Sequence, residues 1–327
     1  MKKKLLALTL AGVMTLGLAA CGSTEETQEP AASGDGTYTI GICQLVQHDA
    51  LDAATQGFMD AVKEGLGEEN VHFLEQNAAN DPAACSSICG QFVSEGVDLI
   101  LANATPALQA AVAATGSIPI LGTSVTEYGV ALDIDDFDGT VGGNVSGTSD
   151  LAPLDQQAAM VKELFPNAKT VGLLYCSGEA NSQYQVDTVK GYLEDLGYTC
   201  ELYSFVDSND VTSVTKTACD NSDVIYIPTD NTAASNAEAI NNVAQPAGVP
   251  IVAGEEGICA GCGVATLSIS YYDLGVATGK MAVRILKDGE DISTMAIEYA
   301  PEFTKKYNVD LADALGVAIP DDYVAIS

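Results

Sequence analysis

Strand-length apolar runs alternate with helix-period stretches along most of this chain, and the alternation is laid down twice, which restricts the fold more than any other feature. Such alternation is the mark of parallel α/β units. In the first half, Tyr38 to Cys43 reads as a strand, and a helix follows with Leu51, Phe58, Val62 and Leu66 on one stripe. Val71 to Leu74, a helix opened by Asn80-Asp81-Pro82, Asp98 to Ala102, a helix after Thr105-Pro106 and Ile118 to Leu121 continue the pattern. Proline at a first helical turn fits, because its missing donor would go unpaired there anyway. The second half repeats the plan with strands at Thr170 to Tyr175, Cys200 to Phe205, Val224 to Ile227 and Pro250 to Ala253. Helices are expected at Asn181 to Leu196, from Val211, and up to Gln245. Landmarks recur: Gly41 answers Gly172, Asp98 answers Asp223, and Ser-Ile-Pro-Ile-Leu at 117–121 answers Gly-Val-Pro-Ile-Val at 248–252. The period is a whole domain rather than a solenoid unit. The expected fold class is α/β, with two doubly wound parallel-sheet lobes joined by a hinge.

The N-terminus reads as an address. Lys2, Lys3 and Lys4 precede an apolar run that ends at Leu18-Ala19-Ala20-Cys21, an export signal with a lipobox-like cleavage site. Residues 1–20 are expected to be the signal peptide and Cys21 the lipidated first residue, whose two acyl chains would suffice for stable anchoring. Residues 21–36 are polar and aperiodic, a flexible tether. The expected N-terminal lobe is 37–146 plus a segment returning near 265–290, and the C-terminal lobe is 147–264 plus 291–327. A first crossover falls around Asn144 to Leu154.

Ligands of doubly wound sheets sit outside the carboxyl ends of the strands, at helix N-termini. The polar residues there are the site candidates: Gln47, His48, Asn80, Thr105, Ser124, Thr126 and Ser149 from one half, with Glu179, Asn181, Ser182, Asp230, Asn231 and Glu255 from the other. The loops carrying them hold no Lys or Arg, which phosphate or polycarboxylate cargo would require. Hydroxyls, helix-terminal amides and a few carboxylates suit a zwitterion: Thr105 and Ser124 to Thr126 for its carboxylate, Asp230 or Glu255 for its ammonium. Any one of these residues is also an ordinary N-cap, so the set carries the reading. The chain has no Trp, which lowers sugars in rank, although Tyr128, Tyr184, Tyr271 and Tyr272 could wall a pocket. With 13 Lys and Arg against 45 Asp and Glu, nucleic acid is a poor partner.

Six stretches resemble the lipoprotein substrate-binding components of ABC transporters, in the group associated with aromatic amino acids such as tryptophan and tyrosine. They are His48-Asp49-Ala50-Leu51-Asp52, Ala104-Thr105-Pro106-Ala107, Asn144-Val145-Ser146-Gly147-Thr148-Ser149-Asp150, Gly178-Glu179-Ala180-Asn181-Ser182, Pro228-Thr229-Asp230-Asn231 and Tyr271-Tyr272-Asp273-Leu274-Gly275. The likeness departs at three places around the mouth: Asp49 stands where the family usually has Pro, Thr126-Glu127-Tyr128 where it has Thr-Asp-Pro, and Glu255-Glu256 where it has Ser-Asp. The resemblance implies a type I periplasmic-binding fold, amino-acid-like cargo and a membrane permease as partner.

Catalytic chemistry is not written in the chain. Gly122-Thr123-Ser124 and Gly147-Thr148-Ser149 begin like nucleophile elbows but lack the closing Gly. Gly275 to Met281 falls one residue short of a phosphate loop and lacks its hydroxyl. Two histidines, His48 and His72, make no metal cage with the cysteines, so neither a metal nor a cofactor is expected. Cys85 and Cys89 share a helical stripe with Ile88 and Phe92 and read as buried apolar thiols. Cys259 and Cys262 have redox-motif spacing without its strand-and-helix setting, which favours a local disulfide or free thiols. An exported enzyme on the same scaffold and a ligand-sensing lipoprotein are the competing functions.

Overall fold

The computed structural model describes residues 36–300 and 302–326; the expected signal peptide, Cys21 and all but the last residue of the tether lie outside them. The first sheet holds β1 (Tyr38–Gln44), β2 (Val71–Asn77), β3 (Leu99–Asn103), β4 (Ile120–Val125), β5 (Val145–Ser149) and β11 (Glu298–Tyr299), in the order β11-β5-β4-β3-β1-β2. The second holds β6 (Thr170–Cys176), β7 (Thr199–Phe205), β8 (Val224–Ile227), β9 (Ile251–Ala253), β10 (Ala265–Ser268), β12 (Thr304–Tyr307) and β13 (Val324–Ala325), in the order β13-β12-β10-β9-β8-β6-β7. All pairings between these strands are parallel except β10 with β12. Both sheets therefore carry the 2-1-3-4-5 doubly wound order. Around them lie α1 (Asp49–Leu66), α2 (Pro82–Glu95), α3 (Thr105–Ala114), α4 (Tyr128–Leu132), α5 (Leu154–Leu164), α6 (Ala180–Asp195), α7 (Val211–Asn221), α8 (Asn231–Ser235), α9 (Ala237–Ala247), α10 (Glu256–Cys262), α11 (Tyr271–Leu286) and α12 (Val309–Leu315).

The internal repeat extends to side-chain chemistry. Asp98 accepts the Thr39 amide at 2.7 Å, and Asp223 accepts the Lys169 and Thr170 amides at 2.7 and 3.0 Å. Each carboxylate thus pins the start of the first strand of its lobe, and these amides hold Asp223 below the usual carboxylate range.

Strand pairing moves the expected lobe boundaries. The chain crosses between sheets after Ser149, between Ser268 and Tyr271, and between Tyr299 and Thr304. Residues 147–149 complete β5 of the first sheet, β10 joins the second sheet rather than the returning segment, and β11 belongs to the first sheet. The polar strand β5 is buried throughout because its hydroxyls find partners: Ser146 donates to the Met295 carbonyl at 3.0 Å, and Thr148 and Thr278 share a bond of 2.8 Å.

The stretch that begins like a phosphate loop has a packing role. A Cβ on Gly275 would stand 2.0 Å from the Ala54 carbonyl oxygen, one on Gly279 2.7 Å from that of Phe58, and one on Gly57 2.1 Å from that of Tyr272. These glycines let α1 and α11 touch backbone to backbone, which docks the returning helix on the first lobe. Gly275→Ala should lower stability by about 1–3 kcal/mol through overpacking, outweighing a helix-propensity gain of about 1 kcal/mol. Gly191→Ala, on α6 with nothing within 4 Å of the new methyl, isolates that gain. Thermal melting of the two variants checks the expectation, and equal shifts would contradict it. Among the described residues no helix is long and apolar enough to cross a membrane.

Candidate functional site

The carboxyl ends of both sheets face one cleft, and four non-glycine residues there have left-handed φ, Ala79 and Asn80 after β2 among them. Ala104, after β3, has φ 93°, and Ser124, in β4, has φ 54° beside a register shift against β5. Strain of this kind persists where the surroundings over-determine it, often at functional sites. A cavity in the cleft is lined by His48, Leu51, Ser124, Thr126, Asp150 and Tyr271, facing Asn181, Thr229, Asp230, Asn231, Ala234 and Glu255. None of these is a cation at neutral pH: burial holds the His48 imidazole below its ordinary range.

Four polar atoms of this lining are buried without a partner: His48 Nδ1, Ser124 Oγ, Asp150 Oδ1 and Asn181 Oδ1. Buried polar atoms are normally paired, so such a cluster needs an explanation. Their hydrogen-bonding sense follows from what their other atoms do. Asn231 donates its amide to Glu179 at 2.6 Å, so its carbonyl faces His48 Nε2 at 3.3 Å. Nε2 is then the donor, and Nδ1 of the neutral ring an acceptor. Asn181 uses its amide nitrogen on Glu179 and on the Thr229 carbonyl, which leaves its oxygen to accept. Asp150 takes the Tyr271 hydroxyl on Oδ2 at 2.9 Å, and Oδ1 is free. The unpartnered atoms of the cavity are thus three acceptors, one of them a carboxyl oxygen, and one hydroxyl.

Other expected charges are already engaged. Asp230 accepts the Cys176 amide at 2.6 Å and the Ala233 amide at 2.7 Å, joining β6 to the start of α8. Glu255 caps α10 by accepting the Gly257 and Ile258 amides at 2.6 and 2.5 Å. Glu179 stands behind the lining and accepts from the amides and side chains of Asn231 and Thr232. The reading of Asp230 or Glu255 as the ammonium partner thus meets carboxylates whose oxygens are both occupied by backbone amides. Ser149, Ser182 and Thr105 are buried outside the lining, Ser149 donating to the Thr126 carbonyl at 2.8 Å. Gln47 is exposed on an outer groove of about 440 Å3. Asn80 reaches across the cleft to the Thr232 hydroxyl at 3.0 Å. Asp150 is the residue that site selection from the sequence left out. Its signal was an acid directly after a strand, disguised by the polar composition of β5.

Burial pushes the carboxyls of Asp230 and Glu255 up to about 7, and raises that of Asp150 against the pull of the Tyr271 hydroxyl. With folded values above the unfolded value of about 4, the folded state holds more protons between roughly pH 4 and 7, and stability falls as pH rises through that window. The unliganded protein should melt at a higher temperature at pH 5 than at pH 8, and a flat profile would count against these protonation states.

The lobes are shut in this structure. His48 with Asn231 and Asn80 with Thr232 bridge them, and the free volume of the inner cavity is about 10 Å3, near that of a single water. Cargo larger than water therefore requires the lobes to part.

Residues 39–326 match the family described as ABC transporter substrate binding protein. The tyrosine-binding protein of Clostridioides difficile (strain R20291) is 35% identical over 323 residues, which are 96% of this chain and 92% of the relative. Among solved structures, an ABC domain from Streptococcus pneumonia in complex with L-Trp superposes with a TM-score of 0.83 at 33% identity, covering 87% of this chain and 96% of that one. The ligand-free, open structure of a substrate binding protein with adhesive properties from Clostridium difficile gives 0.68 at 36% identity, over 89% and 99%. At similar identity, the shut lobes described above overlay better on the ligand complex than on the open form.

Proposed function

Because the chain belongs to the family of ABC transporter substrate binding proteins, we propose that it captures an amino acid, aromatic like the cargo its relatives are named for, between its lobes outside the cytoplasm and presents it to a membrane permease. One observation carries the reading: three unpartnered acceptors, Asp150 Oδ1, Asn181 Oδ1 and His48 Nδ1, line one cation-free cavity. An ammonium has three N–H donors and one positive charge, the complement of that set. The Ser124 hydroxyl remains to donate to the ligand carboxylate. Hinge closure about a central ligand is the established motion of two-lobe binding proteins. Asn231 and Thr232 then meet His48 and Asn80 across the cleft, so the bound form differs in shape from the free one and a permease can tell them apart. A thermal-shift panel of amino acids, sugars and inorganic phosphate tests the proposal. A true ligand at 100 times its Kd stabilises by about 2.7 kcal/mol, and a panel in which only sugars or phosphate shift the midpoint contradicts it.

The same proposal places the protein on the outer face of the membrane, held by a lipid on Cys21 after cleavage of residues 1–20. Support comes from the tribasic start, the apolar run and the Leu-Ala-Ala-Cys stretch. Cys21→Ala should move the protein from the membrane to the soluble fraction with its ligand affinity unchanged, and membrane retention of that variant would rule out the lipid as sole anchor.

A further inference from the structure

The four unpartnered atoms of the inner cavity, His48 Nδ1, Ser124 Oγ, Asp150 Oδ1 and Asn181 Oδ1, belong to the lining of a space of about 10 Å3, near that of one water. Ser124, Asp150 and Asn181 are only 6%, 3% and 4% exposed. Each of the four is fixed by the rest of its residue. His48 is tied through Nε2 to Asn231 at 3.3 Å, Asp150 through Oδ2 to the Tyr271 hydroxyl at 2.9 Å, and Asn181 through its amide nitrogen to the Thr229 carbonyl at 3.1 Å. Ser124 is held by a backbone with φ 54° at the register shift between β4 and β5. These ties keep the set together whenever the lobes are shut, and a buried polar atom left unpaired costs about 1–3 kcal/mol. A partner of water's size is therefore favoured, and its chemistry is specified: donors for three acceptors and a positive charge for a carboxyl. Water brings two donors and no charge. Hard metal cations bring charge without donors and take oxygen shells, whereas one acceptor here is an imidazole nitrogen. The ammonium ion brings four N–H donors and one charge.

We propose that this subsite binds inorganic ammonium as a ligand in its own right, in competition with the amino group of the cargo. The proposal rests on the reading of Asp150, Asn181 and His48 as the partners of that amino group. Three N–H groups of the ion go to the three acceptors. The fourth stands in for the bond to the cargo's α-carbon and is left for the Ser124 hydroxyl, whose oxygen accepts as well as donates. The ion enters as cargo does, when the lobes part, and the excess of 45 Asp and Glu over 13 Lys and Arg draws cations toward the protein. Ammonium and an amino acid then exclude one another from the shut form. An organic acid that lacks the amino group leaves the subsite to the ion, so the acid and the ion present together what the amino acid presents alone.

The test is calorimetric titration of the wild-type chain with L-tyrosine and with its des-amino analogue, 3-(4-hydroxyphenyl)propionate, in ammonium, potassium or sodium chloride at equal ionic strength, together with melting in each salt alone. With ammonium at about ten times its own Kd, the apparent Kd of L-tyrosine should rise about tenfold, the factor 1 + [L]/Kd, while that of the analogue falls. Without an organic ligand, ammonium should raise the melting midpoint above that in either other salt. Potassium, close to ammonium in size and charge but without N–H donors, should match sodium. The same affinities and midpoints in all three salts, or potassium acting as ammonium does, would overturn the proposal. If L-tyrosine binds more tightly than the analogue and neither responds to ammonium, the proposal fails while the amine reading stands; if the two bind equally in sodium chloride, the amine reading fails and the proposal with it. In Asp150→Asn the response of the analogue to ammonium should be lost, and its persistence would place the ion elsewhere and overturn the assignment. The wild-type salt series decides even if the variant does not fold.

Discussion

Asp150→Asn should weaken amino-acid binding roughly tenfold to a hundredfold, the loss of about 1.5–3 kcal/mol expected for a charge-assisted bond. Asparagine keeps the size of the side chain, and its carbonyl can still accept the Tyr271 hydroxyl, so the wall of the cavity should stand. What goes is the anionic Oδ1, the one carboxylate oxygen in the lining that is buried and unpartnered. Without ligand the variant should be at least as stable as the parent, because a carboxyl whose ionisation is opposed by burial has been replaced by a neutral group. Calorimetry and melting of the same sample separate the two effects. Unchanged affinity would remove Asp150 from the site.

Glu179→Ala should act in the opposite sense, destabilising the fold by roughly 3 kcal/mol or more, the sum expected when several buried donors lose their acceptor at about 1–3 kcal/mol each. Its Oε1 accepts the Thr232 amide at 2.9 Å and hydroxyl at 2.8 Å; its Oε2 accepts the Asn231 amide at 3.1 Å and side chain at 2.6 Å. Removing it strands those donors inside a buried wall, each at a desolvation cost of about 1–3 kcal/mol. The same donors orient Asn231 toward His48 and Thr232 toward Asn80, so the bridges between lobes should fail with it. Urea unfolding measures the loss. A variant as stable as the parent but deficient in binding would restore Glu179 as a direct ligand contact.

The sequence disclosed the fold through its apolar runs and the site only through position. Tyr38 to Cys43 and Thr170 to Tyr175 read as strands because hydrocarbon side chains fill them. Val145–Ser149 did not, because its burial is satisfied by hydrogen bonds to Met295 and Thr278, partners more than a hundred residues away. The spacing of Gly275 and Gly279 excludes a phosphate loop but does not show what the glycines are for, because the helix they admit, α1, lies more than two hundred residues earlier. The strand-end rule located the cleft, but a charge at a strand end does not say what it faces. Asp230, Glu179 and Glu255 are spent on neighbouring amides. Asp150 has one oxygen free because Tyr271, 121 residues on, takes the other. Which acceptor is left over is a property of the whole network, and no local pattern encodes it.

The most direct test of ammonium capture is one pair of calorimetric titrations of the wild-type protein, with L-tyrosine and with its analogue lacking the amino group, 3-(4-hydroxyphenyl)propionate. The two share the ring, the hydroxyl and the carboxylate, and differ only at the group assigned to Asp150, Asn181 and His48. Saturable one-to-one binding of L-tyrosine, with the analogue weaker by at least tenfold, is the expected result. Equal binding of both, or binding of neither nor of any other amino acid, would contradict it.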